Sequence, residues 1–307
     1  MRNLLTVLGL VSVVPTAALA QSEPPPEPFT PSAGVNSPMS PPPEPPSKKS
    51  ELPVPYVERP LTLPEMTLAP QFGVGLTHVE LGGLGAANFI NLDAGASFGI
   101  LDDLTVYATP LTMLIGVANG DSRVWYGTFR LGAIYRFLST DVVDIGGQFE
   151  FGATGANDTI HLTGKLPVLL RLADVVRIDT GLALSGYFPI NGDAGGGVVS
   201  VGTGATVLGG PTGAGIPVSA SFQVAEPFFL GLDTGFGIAS FEEAGDSMFM
   251  PLGAHAGGTI ASGDRPLVDL VGRFNFPAFL LSADPDPPLT EIWQVGLDAR
   301  AYIDLGG

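Results

Sequence analysis

The stretch Asn91–Leu111, NLDAGASFGILDDLTVYATPL, decides how this chain is read. Together with Ile90 it holds two runs that alternate residue by residue around a short acidic turn. In the first run Ile90, Leu92, Ala94, Ala96 and Phe98 fall on one side, and Asn91, Asp93, Gly95, Ser97 and Gly99 on the other. A period of two means a β-strand with one apolar and one polar face. Leu101-Asp102-Asp103-Leu104 makes the turn, and Thr105-Val106-Tyr107 resumes the strand. The hairpin leaves one question, which face is inside, and the answer separates a soluble sheet from a membrane barrel.

The pattern recurs toward the C-terminus. Alternating segments are expected at Met66–Val79, up to Ile100, Leu104–Val117, Arg123–Phe137, and from Asp141 through Phe151. Further segments run to Leu172, from Val176 to Ser185, and over Gly215–Ala225, Phe228–Phe241, Ser247–Ala261, Leu267–Leu280 and Ile292–Leu305. Segments of about 11–15 residues exceed the usual globular strand of about 5–6. About 9–11 tilted residues cross a bilayer. Leu101–Asp103, Ser139–Asp141, Ala173-Asp174, Glu226-Pro227 and Gly263–Arg265 read as short turns, separated by longer Gly, Asp and Asn loops. Alternating short and long connections mark a transmembrane barrel with short turns in the periplasm. The alternation holds with one strand between residues 189 and 226, a long outer loop at Asn191–Ala214, and a possible extra hairpin within Val198–Leu208. The expected fold is all-β, a transmembrane antiparallel barrel of twelve strands, with ten or fourteen as the alternatives.

Composition agrees with that class. The chain is 45% hydrophobic but only 14% charged, against about 25% charged for an ordinary soluble domain. A net charge of −17 and the absence of any basic stripe argue against nucleic acid. With no Cys there is neither disulfide nor thiolate metal site. Residues 1–20 read as a signal peptide: Arg2, an apolar core at Leu4–Val14, and Ala18-Leu19-Ala20 before Gln21. Residues 21–60 are rich in Pro, which fixes φ and lacks an N–H, so an extended, disordered periplasmic linker is expected there. The barrel is expected over residues 61–307.

Sorting charges by face answers the opening question. The polar face carries Arg130, Arg136, Lys165, Arg171, Arg177, Arg273 and Arg300, matched by Asp93, Asp144, Glu150, Asp179, Asp233, Asp269 and Asp298. The opposite face carries almost none. A soluble sandwich would scatter charge, Lys above all, over its outside. The only lysines here are Lys48, Lys49 and Lys165. Arg suits paired, partly dry sites. The apolar face therefore faces lipid and the polar face a lumen. Unpaired charge is costly in a confined lumen, which predicts a narrow or plugged passage. The lumen glycines Gly231, Gly235, Gly237, Gly253 and Gly257 would open local space.

The runs FGILDDLTVYA, TFRLGAIYRFL and IWQVGLDARAYIDL, with the signal peptide, resemble the general bacterial outer-membrane β-barrel class over residues 66–307. The resemblance implies outer-membrane lipid and the barrel-assembly machinery as partners, and a porin- or transporter-like role. Barrels of this class end on an aromatic residue, whereas this sequence closes Tyr302-Ile303-Asp304-Leu305-Gly306-Gly307, which moves that signal to Tyr302 or to another feature.

The functional expectation is a passive channel for small polar solutes. Its constriction candidates are Arg130, Arg136, Glu150, Lys165, Arg171, Arg177, Asp179, Asp233, Asp269, Arg273, Asp298 and Arg300. The alternatives are a non-conducting barrel that binds the cell wall through residues 22–60, and a membrane-embedded lipid hydrolase or acyltransferase. Enzymatic chemistry is not expected. The serines of Gly120-Asp121-Ser122 and Gly245-Asp246-Ser247 sit in loop signals with no His tied to them. His78, His161 and His255 lie in separate strands with no metal-ligand spacing. Gly195–Gly197 and Gly202–Gly204 lack a phosphate-loop context, and Asp284 and Asp286 read as a solvated loop. No cofactor is expected.

Overall fold

The computed structural model describes residues 51–306 except for 81–85, 119–120, 127, 155–158, 190–196, 202–204, 210–211, 239–240, 242–247 and 282–291. The signal peptide, linker residues 21–50, Gly120, Ser247, Asp284 and Asp286 lie outside the described residues. The strands are β1 (Thr67–Glu80), β2 (Ala86–Leu101), β3 (Leu104–Ala118), β4 (Asp121–Tyr126), β5 (Thr128–Ser139), β6 (Val143–Thr154), β7 (Thr159–Leu172) and β8 (Val176–Pro189). They continue with β9 (Gly197–Val201), β10 (Ala205–Gly209), β11 (Thr212–Ala225), β12 (Phe228–Ile238), β13 (Met248–Ser262), β14 (Arg265–Leu281), β15 (Ile292–Ala301) and β16 (Ile303–Asp304).

Each strand pairs antiparallel with its successor around the sheet, and β1 pairs with β15 to close it. Because β4 and β5 share one position beside β3, and β15 and β16 share one beside β1, the closed barrel has twelve staves. The expected count holds. The extra hairpin is also present, as the separate two-stranded sheet β9–β10. The segment expected as one strand over Arg123–Phe137 is β4 and β5, which pair with β3 in one register on either side of residue 127. Among the described residues no helix is long and apolar enough to cross a membrane, so crossing falls to the strands.

The alternation runs as the opening hairpin requires. On β12, Phe228, Leu230, Leu232 and Phe236 are exposed while Phe229, Gly231, Gly235 and Gly237 are buried. Phe149 on β6 and Leu232 are 57% and 59% exposed. Exposed apolar side chains at this density belong against lipid, since water would penalise so large a patch. In the opening hairpin, β2 and β3 change register opposite Gly95. A Cβ at Gly95 would meet the Ala108 carbonyl oxygen at 2.6 Å, so glycine permits the close approach.

One boundary differs from expectation. The linker was expected to run to residue 60, but residues 51–65 lie inside the barrel wall. Val54, Val57, Arg59, Thr62 and Leu63 are buried. The prolines of this stretch withhold N–H groups, while the amides of Val57, Leu61, Leu63 and Glu65 donate to side chains of the strands and turns, which offsets part of the absent ladder.

Candidate functional site

The lumen is built from the inward half of each strand, and its short-turn end is crossed by residues 51–65. A 3₁₀ turn at Tyr56–Glu58 places Tyr56 flat on Phe229 of β12, with ring centroids 4.1 Å apart. The Val57 amide donates to Gln223 Oε1 on β11 (3.2 Å). On the far wall, Leu61 N donates to Asp144 Oδ2 on β6 (3.1 Å), and Leu63 N to Thr105 Oγ1 on β3 (2.8 Å). The segment thus touches opposite sides of the barrel within a few residues.

Arg59 is the anchor. It is 4% exposed, and all its donors are used. Nη1 donates to Asp269 Oδ2 and to the Tyr302 hydroxyl (3.1 Å). Nη2 donates to Thr259 Oγ1 (2.9 Å) and Val54 O (3.0 Å), and Nε to Pro53 O (3.0 Å). Asp269 also accepts from Thr259 and from the Tyr302 hydroxyl at 2.8 and 2.6 Å. Tyr302 therefore points into the lumen.

The wall holds the segment in return. Arg177 grips Asp179 through Nε and Nη2 (both 2.7 Å), and its Nη1 donates to the carbonyls of Tyr56 (3.3 Å) and Arg59 (3.1 Å). Arg171 Nη2 donates to Asp144 (2.6 Å) and to Arg59 O (3.1 Å). Asp144 is fully buried and also accepts from Ser139 (2.8 Å). Arg136 reaches Asp103 at the turn (2.7 Å) and stands 3.8 Å from Asp144.

Beyond the segment the expected residues fall into smaller groups. Glu150 accepts from Tyr107 (2.9 Å) and lies 3.4 Å from His161 Nε2. Gln148 donates to the Tyr107 hydroxyl (2.7 Å), and Lys165 lies opposite Gln148 in register. Asp233 accepts from His255 Nδ1 (2.9 Å). Arg273 Nε donates to Asp298 (2.9 Å), and Arg300 packs on the Tyr302 ring at 5.7 Å. Arg130 Nη2 and Asp93 Oδ1 form a loose ion pair at 3.7 Å, longer than a hydrogen bond, with side chains 37% and 42% exposed.

The nominated residues all come from strands and do not form one ring. Arg136, Arg171, Arg177, Asp179, Asp269 and Arg300 gather at the short-turn end, and the others along the wall. Sequence reasoning missed Arg59, whose visible signal is that it is the lone cation between Lys49 and Arg123. It also missed why the glycines are there. A Cβ at Gly231, Gly253 or Gly257 would strike His255, Asn275 or Phe229 at 2.1, 1.9 and 2.3 Å. Each lets a side chain from the neighbouring strand lie flat along the wall.

His78 lies on the outer face instead, stacked on Trp293 at 5.1 Å and bonded to Asn88 (2.9 Å). Ser122 lies in β4. Among the described residues no group of His, Cys, Asp and Glu could hold a metal ion.

No family model matches the chain, and no curated protein does. Solved structures do. An outer-membrane channel from Pseudomonas putida F1 superposes with a TM-score of 0.55 at 10% identity, covering 79% of this chain and 97% of that one. The NanC porin gives 0.49 at 5% identity over 76% and 100%, and the KdgM porin 0.42 at 7% over 75% and 98%. At such identities the likeness is one of fold. The first of these, with the closed barrel and its apolar exterior, gives this protein the fold of a bacterial outer-membrane β-barrel.

Proposed function

We propose that the protein is a passive channel for small polar solutes, narrowed at its short-turn, periplasmic end by residues 51–65. The observation that carries this reading is the contrast inside one lumen. Arg130 and Asp93 form a loose, partly exposed ion pair in the barrel's interior, while the short-turn end is spanned from β3 to β14 by the Arg59-anchored segment. A polar interior with loosely paired, partly exposed charges holds water and lets small solutes through. Passage itself asks no chemistry of the wall. Arg130, with Asp93, Glu150 and Lys165 nearby, sets the charge that a solute meets.

The test is single-channel recording of the full chain in planar bilayers. Small steps are expected from the wild type, and larger ones from Arg59→Ala, because that residue holds the segment across the lumen. Folded, heat-modifiable protein that never conducts, in either form, would overturn the proposal.

A further inference from the structure

One polar group on the lumen wall is not needed for passage. Ser221 on β11, Asp233 on β12 and His255 on β13 come from three consecutive staves. Ser221 Oγ lies 3.0 Å from His255 Nε2, and His255 Nδ1 lies 2.9 Å from Asp233 Oδ2. A carboxylate only accepts, so Nδ1–H donates to Asp233 and the Nε2 lone pair accepts the Ser221 proton. That tautomer is the one a general base requires. We propose that Ser221, His255 and Asp233 form a serine-esterase triad on the lumen wall, kept latent by Tyr56 and Arg59 of the inward-folded segment.

The local architecture is built for this contact. Gly231 is the register partner of both Ser221 and His255. His255 reaches Ser221 only by lying across Gly231, where a Cβ would stand 2.1 Å from Nε2. Phe229 meets the imidazole edge-on at 6.2 Å and fixes its plane. An oxyanion donor stands on the other side: Arg177 of β8 is the direct register partner of Ser221.

Latency follows from the same contacts. The Tyr56 ring bridges Phe229 of β12 and the Arg177 guanidinium of β8, 5.0 Å from its centroid, and so lies over β11 between them. Ser221 is 1% exposed. The Arg177 Nη1 that would meet a substrate oxygen is occupied by the Tyr56 and Arg59 carbonyls. Withdrawal of the segment uncovers the serine and vacates the donor together.

The reaction is acyl transfer to water. Ser221 Oγ attacks the carbonyl carbon of an ester while His255 Nε2 takes the hydroxyl proton. The bond to the alcohol oxygen breaks, and the alcohol leaves with that proton. Water then adds to the acyl-serine, gives its proton through His255 to Ser221, and the carboxylic acid departs. The aromatic floor at Phe229 and the confined space select short-acyl carboxylic esters.

The probe is a fluorophosphonate, whose fluoride is displaced by an activated serine, with the adduct located by mass spectrometry on heat-modifiable full-length protein. Tyr56→Ala/Arg59→Ala should label at Ser221 about tenfold or more faster than wild type, and Asp233→Asn in that background should lose most of the gain. The released variant should also cleave p-nitrophenyl butyrate, and Ser221→Ala should not. Absence of a Ser221 adduct in the folded released variant overturns the proposal, as does labelling that survives His255→Ala. If the double variant fails to fold, Tyr56→Ala alone is read in the same way. If that fails too, slow wild-type labelling lost in His255→Ala supports the triad, and no labelling overturns it. Conductance plays no part in these readouts, so the channel proposal stands or falls separately.

Discussion

At the short-turn end Asp269 takes its cation from Arg59, 210 residues away in the chain, whereas at that same end Arg177 takes Asp179 from two residues along its own strand. The two arrangements solve one electrostatic problem differently. A side chain two positions along a strand, or opposite on the next, is already a neighbour once the sheet forms. Arg177–Asp179, Arg273–Asp298 and Asp233–His255 therefore assemble with the barrel itself. Asp269 accepts two hydroxyls from its surroundings, Thr259 and Tyr302, but its ion-pair partner arrives with the N-terminal segment. Seating the segment across the end of the lumen is thus coupled to neutralising a buried carboxylate. The wall pairs find their opposite charge within the sheet, and Arg177 only adds bonds to the Tyr56 and Arg59 carbonyls of the segment.

The comparison breaks most sharply at Arg59. Arg59→Leu leaves Asp269 buried without its cation and should cost about 3–5 kcal/mol in urea unfolding from detergent micelles. Asp269→Asn/Arg59→Leu should recover part of that loss, and a double-mutant cycle measures how much. If the single change costs no more than a wall pair does, the segment is not what neutralises Asp269. Next in size is a charge on the lipid side: Leu232→Arg, at 59% exposure on the outer face, should cost about 2–4 kcal/mol near the bilayer midplane. Folding into vesicles of differing thickness would read that change, and a neutral effect would mean that the face is not lipid-facing.

Gly231→Ala comes third. Its methyl group meets the His255 ring, and about 1–3 kcal/mol of overpacking is expected on a thermal melt. No loss would show that His255 does not lie across that glycine. Smallest is Arg273→Ala. Its partner Asp298 is 49% exposed, so screening leaves about 1 kcal/mol or less. A loss as large as that of Arg59→Leu would erase the distinction between wall pairs and segment pairs.

Much of the fold was legible because a β-strand writes its two faces with period two. Ile90 and Asp93 fall on opposite faces in INLDAGASFGI, and they do so in the barrel. The count of staves followed from turn chemistry such as Asp102-Asp103 and Glu226-Pro227. The site was legible only by face. That Arg171, Arg177 and Asp179 point inward could be read from alternation. That they close around Tyr56 and Arg59 could not, because ELPVPYVERP has the composition of a linker. Nothing local marks a proline-rich stretch as a plug when its partners are Thr105, Asp144, Gln223 and Asp269. Nor does any local motif relate Ser221 to His255. Ser221 and His255 are 34 residues apart and meet only because β12 lies between them with a glycine at the crossing point.

By itself, then, the amino-acid order determined an inside-out β-barrel of twelve staves with an apolar exterior and a charged interior. Those properties depend on alternation and turns, which are local in the chain. Tertiary structure decided which charges meet, why Gly231, Gly253 and Gly257 must lack side chains, and that residues 51–65 fold back into the lumen. Each of these depends on closing the sheet, which brings into contact groups that no local pattern relates.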